Sequence, residues 1–385
     1  MRELKELALF LEPLEMQALN NSLHALTTES MLGKFYHGLV SGDFDSDELA
    51  QQALYPLDPK TGSYRKLKSQ LKGRLKNSVL LFDEKKRTKT PYQRAYYQCY
   101  KEWAIVKILL GQNAREAAVD IAEGILSKAI KYEFSDLVMD VCSVLRLHYG
   151  ARLGNKELFN HYNKLFKQYQ AIYWQEEKAR ELYIDMIVNY VNNRSFNKEK
   201  HRIAINALQI LDSENHQCQS RQYLLCYYLI SVTAHTSNHD YTGAIQVCEQ
   251  AIEVFTNKGF DVKLPLQVFY YQELLCHIQL GQFQQGQKTA EICLDLIETG
   301  TFNWFKYYEL YIILAFYTDE FQEASRIYET VTKHQRFQLL PENITELWKV
   351  YRAYLQFLYL SGKIPKPPTS CSKKPQQAFS LTSFL

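Results

Sequence analysis

The stretch VFYYQELLCHIQLGQFQQGQKTAEICLDLIETG (268–300), continuing as TFNWFKYYELYIILAFYTDEFQEASRIYETV (301–331), is one helix-turn-helix pattern written twice. The first copy turns at Leu280-Gly281-Gln282-Phe283 and runs on through Gly286, Ala290 and Cys293. The second turns at Tyr317-Thr318-Asp319-Glu320-Phe321 and runs on through Ala324, Tyr328 and Val331. Phe283 to Phe321, Gly286 to Ala324 and Cys293 to Val331 are each 38 residues apart, and one offset shared by independent positions marks a structural repeat. In each copy an aromatic-rich helix ends at a tight turn, and the next helix starts with a small residue where two helices must approach closely.

Working backwards, Asp240-Tyr241-Thr242-Gly243-Ala244 with Cys248 and Ala251 forms a third copy, 42 residues before Gly286. Weaker copies close at Leu153-Gly154, after a helix from near Phe134, and at Leu110-Gly111, after one from near Tyr92. Ile203 to Leu211 reads as the second helix of a pair starting near Glu176. A single pair cannot bury its apolar face, so the pairs must stack. The turn residue, the aromatic two positions on and the small residue three further resemble the tetratricopeptide repeat at Gly281, Phe283 and Gly286, and at Phe321, Ala324 and Tyr328. The chain departs from that family in lacking a proline after the second helix and in its longer spacing. The resemblance implies an all-α fold: a right-handed α-solenoid of about six tetratricopeptide-like helical pairs over residues 91–362.

Composition agrees with helices joined by short turns. The 385 residues include 28 Tyr and 20 Phe against 10 Pro and 15 Gly, and no segment alternates as a strand would. The eight cysteines are scattered singly without a Cys-x-x-Cys pair, which predicts reduced core thiols and a cytoplasmic protein. The N-terminus is too acidic for a secretory signal, and no apolar run is long enough for a membrane helix, so no membrane association is expected.

Charge is uneven although the net is only +3. Residues 1–59 carry three Lys/Arg against ten Asp/Glu, and residues 60–90 carry eleven against two. An N-terminal helical head over residues 1–90 is expected, with helices at 3–18 and 28–40 broken at Asn20-Asn21-Ser22, a third beginning near Asp47, and a basic helix over 64–82. Leu67, Leu71, Leu75 and Val79 stripe that basic helix; Arg65, Lys68, Lys72 and Lys76 flank the stripe and are its candidate nucleic-acid contacts. The competing reading has the same helix packing its leucines against the acidic segment before it. Ser41 to Glu48 has the acidic spacing of a calcium loop, but Glu48 stands where that loop needs Gly, and Leu54 where it needs Glu. Residues 363–385 form a Pro/Lys-rich tail.

In the tetratricopeptide family the first helices line a concave surface that holds a partner's segment. Carried over through the two best copies, that role falls on Tyr271, Leu275, Ile278, Gln279, Lys306, Glu309, Ile313, Phe316 and Tyr317. Chemistry finds little footing. Gly281 to Thr289 approaches a phosphate-binding loop but has one residue too many before Lys288 and no preceding strand, while His235 and His239 have a zinc-like spacing and no third ligand. No cofactor, metal or catalytic residue is therefore expected. The expected function is a non-enzymatic scaffold or adaptor holding a protein or peptide segment in the groove; the alternative is a regulator whose basic helix binds nucleic acid while its repeats sense a partner.

Overall fold

The computed structural model describes residues 1–10, 30–56, 62–80, 90–192, 197–213, 218–260 and 263–365. Among them are sixteen α-helices and no strand. They divide into two compact units, residues 1–89 and 90–385.

The first unit holds α1 (Arg2–Phe10), α2 (Met31–Ser41), α3 (Asp47–Leu54) and α4 (Gly62–Leu80). Ser30 and Ser46 cap α2 and α3, accepting hydrogen bonds from the Gly33 and Leu49 amides at 2.9 and 3.2 Å. These caps occupy amides that would otherwise lack a partner at the helix start. Leu67, Leu71 and Leu75 of α4 are buried against Leu4, Phe35, Tyr36, Leu39 and Leu54, so the leucine stripe supplies the floor of a small core. Val79, expected to continue the stripe, is half-buried, while Ser78 is buried and donates to the Arg74 carbonyl at 2.9 Å. The expected break at Asn20-Asn21-Ser22 and the tail from residue 366 lie outside the described residues.

The second unit runs through α5 (Pro91–Gly111), α6 (Arg115–Lys131), α7 (Ser135–Arg146, extended by a π-helical turn over Leu147–Arg152), α8 (Lys156–Asn192), α9 (Asn197–Ser213), α10 (Arg221–Ser237), α11 (Tyr241–Thr256), α12 (Lys263–Gln279), α13 (Phe283–Leu296), α14 (Phe302–Tyr317), α15 (Phe321–Thr332) and α16 (Glu342–Leu360). Each helix packs on its successor, and α8 also packs on α10, α10 on α12 and α12 on α14. The core is therefore a series of adjoining clusters, from Trp103 and Val141 at one end to Trp348 and Leu355 at the other.

Five turns are built alike. Asn113, Glu133, His239, Gly281 and Asp319 adopt φ of 62, 59, 60, 69 and 58°. The amide that follows each one, in Ala114, Phe134, Asp240, Gln282 and Glu320, donates to the carbonyl five residues earlier at 2.9 to 3.0 Å. Four residues further on comes a buried position, small in four of the five turns: Ala118, Val138, Ala244, Gly286 and Ala324. The left-handed residue reverses the chain, and the small residue lets the new helix lie close to the old one. This shared geometry underlies the repeat read at residues 240, 282 and 320.

One expected pair takes a different form. The segment from Lys156 to Asn192 is a single helix of 37 residues, with Glu176 near its middle rather than at a start. No Gly or Pro interrupts that run, so nothing in it forces a turn.

Candidate partner-binding face

Helices α12 and α14 carry the residues nominated for partner binding, and α16 lies beside α14. Tyr271, Leu275 and Ile313 are half-buried in the cluster between α12 and α14, and Ile278, at 7 % exposure, is a core residue of it. Phe316 is half-buried and packs edge-on against Tyr354 of α16 at 4.8 Å between ring centroids, with Tyr351 at 6.1 Å. Gln279 is exposed at the end of α12; Tyr317, 61 % exposed at the end of α14, stacks on Phe283 at 5.6 Å.

Glu309 sits at the centre of this face and is only 4 % exposed. Its Oε2 accepts from Lys306 Nζ one turn earlier, while Oε1 is buried without a hydrogen bond. Burial pushes the carboxyl above its ordinary value, and Lys306 pulls the other way. Burial, and after it the charge of Glu309, raises the hydroxyls of both Tyr271 and Tyr351. The structure thus brings together Tyr271, Lys306 and Glu309 with Tyr351 of α16, which the sequence reading did not nominate. A signal was present: 38 residues separate Tyr271 from Glu309, and the repeat's other spacing, 42, leads from Glu309 to Tyr351.

Neighbouring aromatics on the same helices belong to the interior. Tyr307 is 1 % exposed and donates its hydroxyl to the Ala290 carbonyl at 3.0 Å; Trp304, Phe305 and Trp348 are also buried.

The basic helix of the first unit is largely paired within that unit. Lys68 Nζ lies 2.6 Å from Asp47 Oδ1, Lys72 Nζ lies 2.6 Å from Glu3 Oε2, and Lys76 Nζ is 3.8 Å from Glu3 Oε1. Arg65 is exposed. These pairs join the acidic opening segment to the basic helix, and they hold Glu3 and Asp47 below the usual carboxylate range. The acidic residues of 41–48 have similar duties: Asp43 accepts from Ser41 Oγ at 2.6 Å and Asp45 pairs with Lys5 at 2.6 Å. The basic run from Lys85 to Lys89 lies outside the described residues.

His235 has a structural role. Its Nδ1 is 2.7 Å from Asp240 Oδ2, and His277, 42 residues later, repeats the contact with Gln282 Oε1 at 2.9 Å. His239 supplies the left-handed residue of the same turn. Among the described residues no cluster of His, Cys, Asp and Glu has metal-binding geometry, and no helix is long and apolar enough to cross a membrane. No protein-family model matches the chain, and no curated protein matches it.

Proposed function

We propose that residues 91–362 form a right-handed tetratricopeptide-like α-solenoid and that the protein is a non-enzymatic scaffold or adaptor in the cytoplasm. A segment of a partner protein lies across the first helices α12, α14 and α16. The observation that supports this reading is the five-fold recurrence of one turn together with direct packing between alternate helices, which aligns equivalent faces of successive pairs. Tyr271, Glu309 and Tyr351 share that aligned face. Tyr317 and Phe357, 61 % and 55 % exposed, offer aromatic surface of the kind that dominates interface energetics.

The test is a pull-down from native lysate with nuclease added. Intact chain is compared with a Tyr317→Ala/Phe357→Ala/Lys306→Ala variant whose helical content is first shown to be unchanged. The reading requires a protein recovered by the intact chain and lost by the variant. Equal recovery by both removes these helices as the binding face.

A further inference from the structure

Where α7 meets α8 the chain builds a cavity of about 640 Å³, remote in sequence from the face just described. Its formation follows from a local distortion. The last turn of α7 widens into a π-helical turn over Leu147–Arg152, Gly154 reverses the chain with φ of 63°, and α8 starts at Lys156. π turns are uncommon and concentrate at functional sites, because the widened turn gives up regular hydrogen bonding for a changed side-chain placement. Gly150 lets the Phe159 ring lie against the turn: a Cβ there would come within 2.7 Å of the ring, which would have to shift.

The lining is chemically one-sided. Arg146 and Lys156 are its ionisable groups, Ser143 and Asn163 add polar atoms, and no Asp or Glu takes part. Arg146 is held in place, with its guanidinium 3.8 Å from the centroid of Phe166 and NH1 donating to Asn163 Oδ1 at 3.3 Å. Lys156 is exposed and stands at the positive end of the α8 dipole. Beside these cations are apolar side chains that the fold leaves partly in water: Leu147 is 55 % and Phe159 is 36 % exposed. A fixed guanidinium, an exposed ammonium and an apolar wall in a concavity of this volume match the dimensions and composition of small-molecule sites.

We infer that this cavity binds an amphiphilic anion, a carboxylate or phosphate monoester attached to an apolar chain or ring, with the head group between Arg146 and Lys156 and the apolar part against Leu147 and Phe159. The anion supplies the charge that the lining lacks, and the apolar part covers the exposed side chains. The inference is independent of the scaffold reading, since it involves neither α12, α14 nor α16.

The experiment uses the full chain with 8-anilinonaphthalene-1-sulfonate as reporter, an anion on an apolar ring system. Dodecanoate, dodecyl phosphate and dodecanol serve as competitors. Saturable binding of the reporter is expected, displaced by the two anions and at least about ten-fold less well by dodecanol, since one charge-assisted contact is worth a factor of that order. Lys156→Gln removes a charge and Ala151→Trp fills the space while keeping both charges; each should weaken the reporter about ten-fold or more, whereas Lys288→Gln, on exposed α13 surface, should not. Circular dichroism establishes that the variants fold. Equal displacement by dodecanol, unchanged binding in both cavity variants, or no saturable binding overturns the inference.

Discussion

Glu133 Oε1 lies 2.8 Å from the Nζ of Lys258, 125 residues later in the chain, and Glu133 Oε2 also accepts from the Arg221 backbone amide at 2.5 Å. Nearby, Tyr92 at the start of α5 stacks on Phe260 just beyond α11 with centroids 5.5 Å apart, and Arg221 packs over Tyr92 at 4.8 Å. In a strictly one-dimensional repeat array each unit meets only its neighbours. Here a turn between α6 and α7 is fastened to the ends of α10 and α11. The side chains of Glu133 and Lys258 are 27 % and 13 % exposed, so their pair is better shielded from solvent than an ordinary surface bridge. Glu133→Ala should lower unfolding stability by about 2 kcal/mol, between the surface and fully buried cases, because it strands the Arg221 amide and takes the carboxylate from Lys258, which keeps the Gln219 carbonyl at 2.5 Å. A double-mutant cycle with Lys258→Met, followed by urea unfolding, measures the coupling; a value near zero would remove the clasp from the energetics.

The two glycines of the best repeat copy should respond oppositely to alanine. Gly281 sits at φ of 69°, where a Cβ strains the backbone, and Gly281→Ala should cost about 1 kcal/mol. Gly286 lies inside α13, and an added Cβ would meet His277, Leu274 and Leu314 at 3.5 to 3.8 Å, ordinary contact distances. Gly286→Ala should stabilise the protein by about 0.5 to 1 kcal/mol by removing unfolded-state freedom, as alanine already stands at the equivalent positions 244 and 324. Thermal unfolding of the two variants checks both signs.

These glycines mark what local sequence can carry. A turn that needs a left-handed residue followed five positions later by a small one leaves its trace within a few letters, so the copies at 240, 282 and 320 were legible. In α8 the chain offers neither turn residue nor helix breaker, and a pair starting near Glu176 was expected where one helix runs through. The clasp between Glu133 and Lys258 has no local signature, because either residue alone reads as a solvated charge. The same holds for Tyr351, whose place beside Glu309 depends on how α16 packs.

Glu309 gives a pH dependence. Its folded-state pKa is raised by burial above 4.5, so the folded protein holds the proton more tightly than the unfolded chain does. Near neutral pH both states are ionised and the folded state bears the desolvation cost; as pH falls through the raised pKa the folded state protonates first and the cost is relieved. Glu309→Gln removes the buried charge while its amide oxygen can still accept from Lys306. It should raise stability by about 1 kcal/mol near neutral pH. That advantage should shrink as the pH approaches 4.5 from above. A gain independent of pH would mean that packing, not charge, sets the difference.

Among the described residues seven cysteines are buried and reduced, and burial raises their thiols: Cys99, Cys142 and Cys226 to about 11, Cys276 and Cys293 to about 12. The thiolate is the reactive species, so both access and ionisation oppose alkylation. Iodoacetamide at neutral pH should leave Cys99, Cys142, Cys226, Cys248, Cys276 and Cys293 unmodified in native protein and modify all of them in denaturant. Peptide mass spectrometry reads this site by site, and rapid native labelling at Cys276 or Cys293 would show that α12 or α13 opens readily.

The basic helix α4 yields the last prediction. Electrostatic binding to a nucleic-acid duplex draws on cations free to replace condensed counterions, and its strength scales with their number. Lys68 and Lys72 are each 2.6 Å from a carboxylate, and Lys76 shares Glu3 with Lys72, so an incoming phosphate must compete with ligands already in place. The intact chain should therefore show weak retention of a DNA duplex at low salt. Glu3→Gln with Asp47→Asn should strengthen it and steepen its salt dependence by about two counterions, one for each carboxylate removed. The reverse result, tight and salt-sensitive binding by the intact chain that the double substitution leaves unchanged, would mean that the three lysines surrender their partners at little cost, and would move the protein's function toward α4.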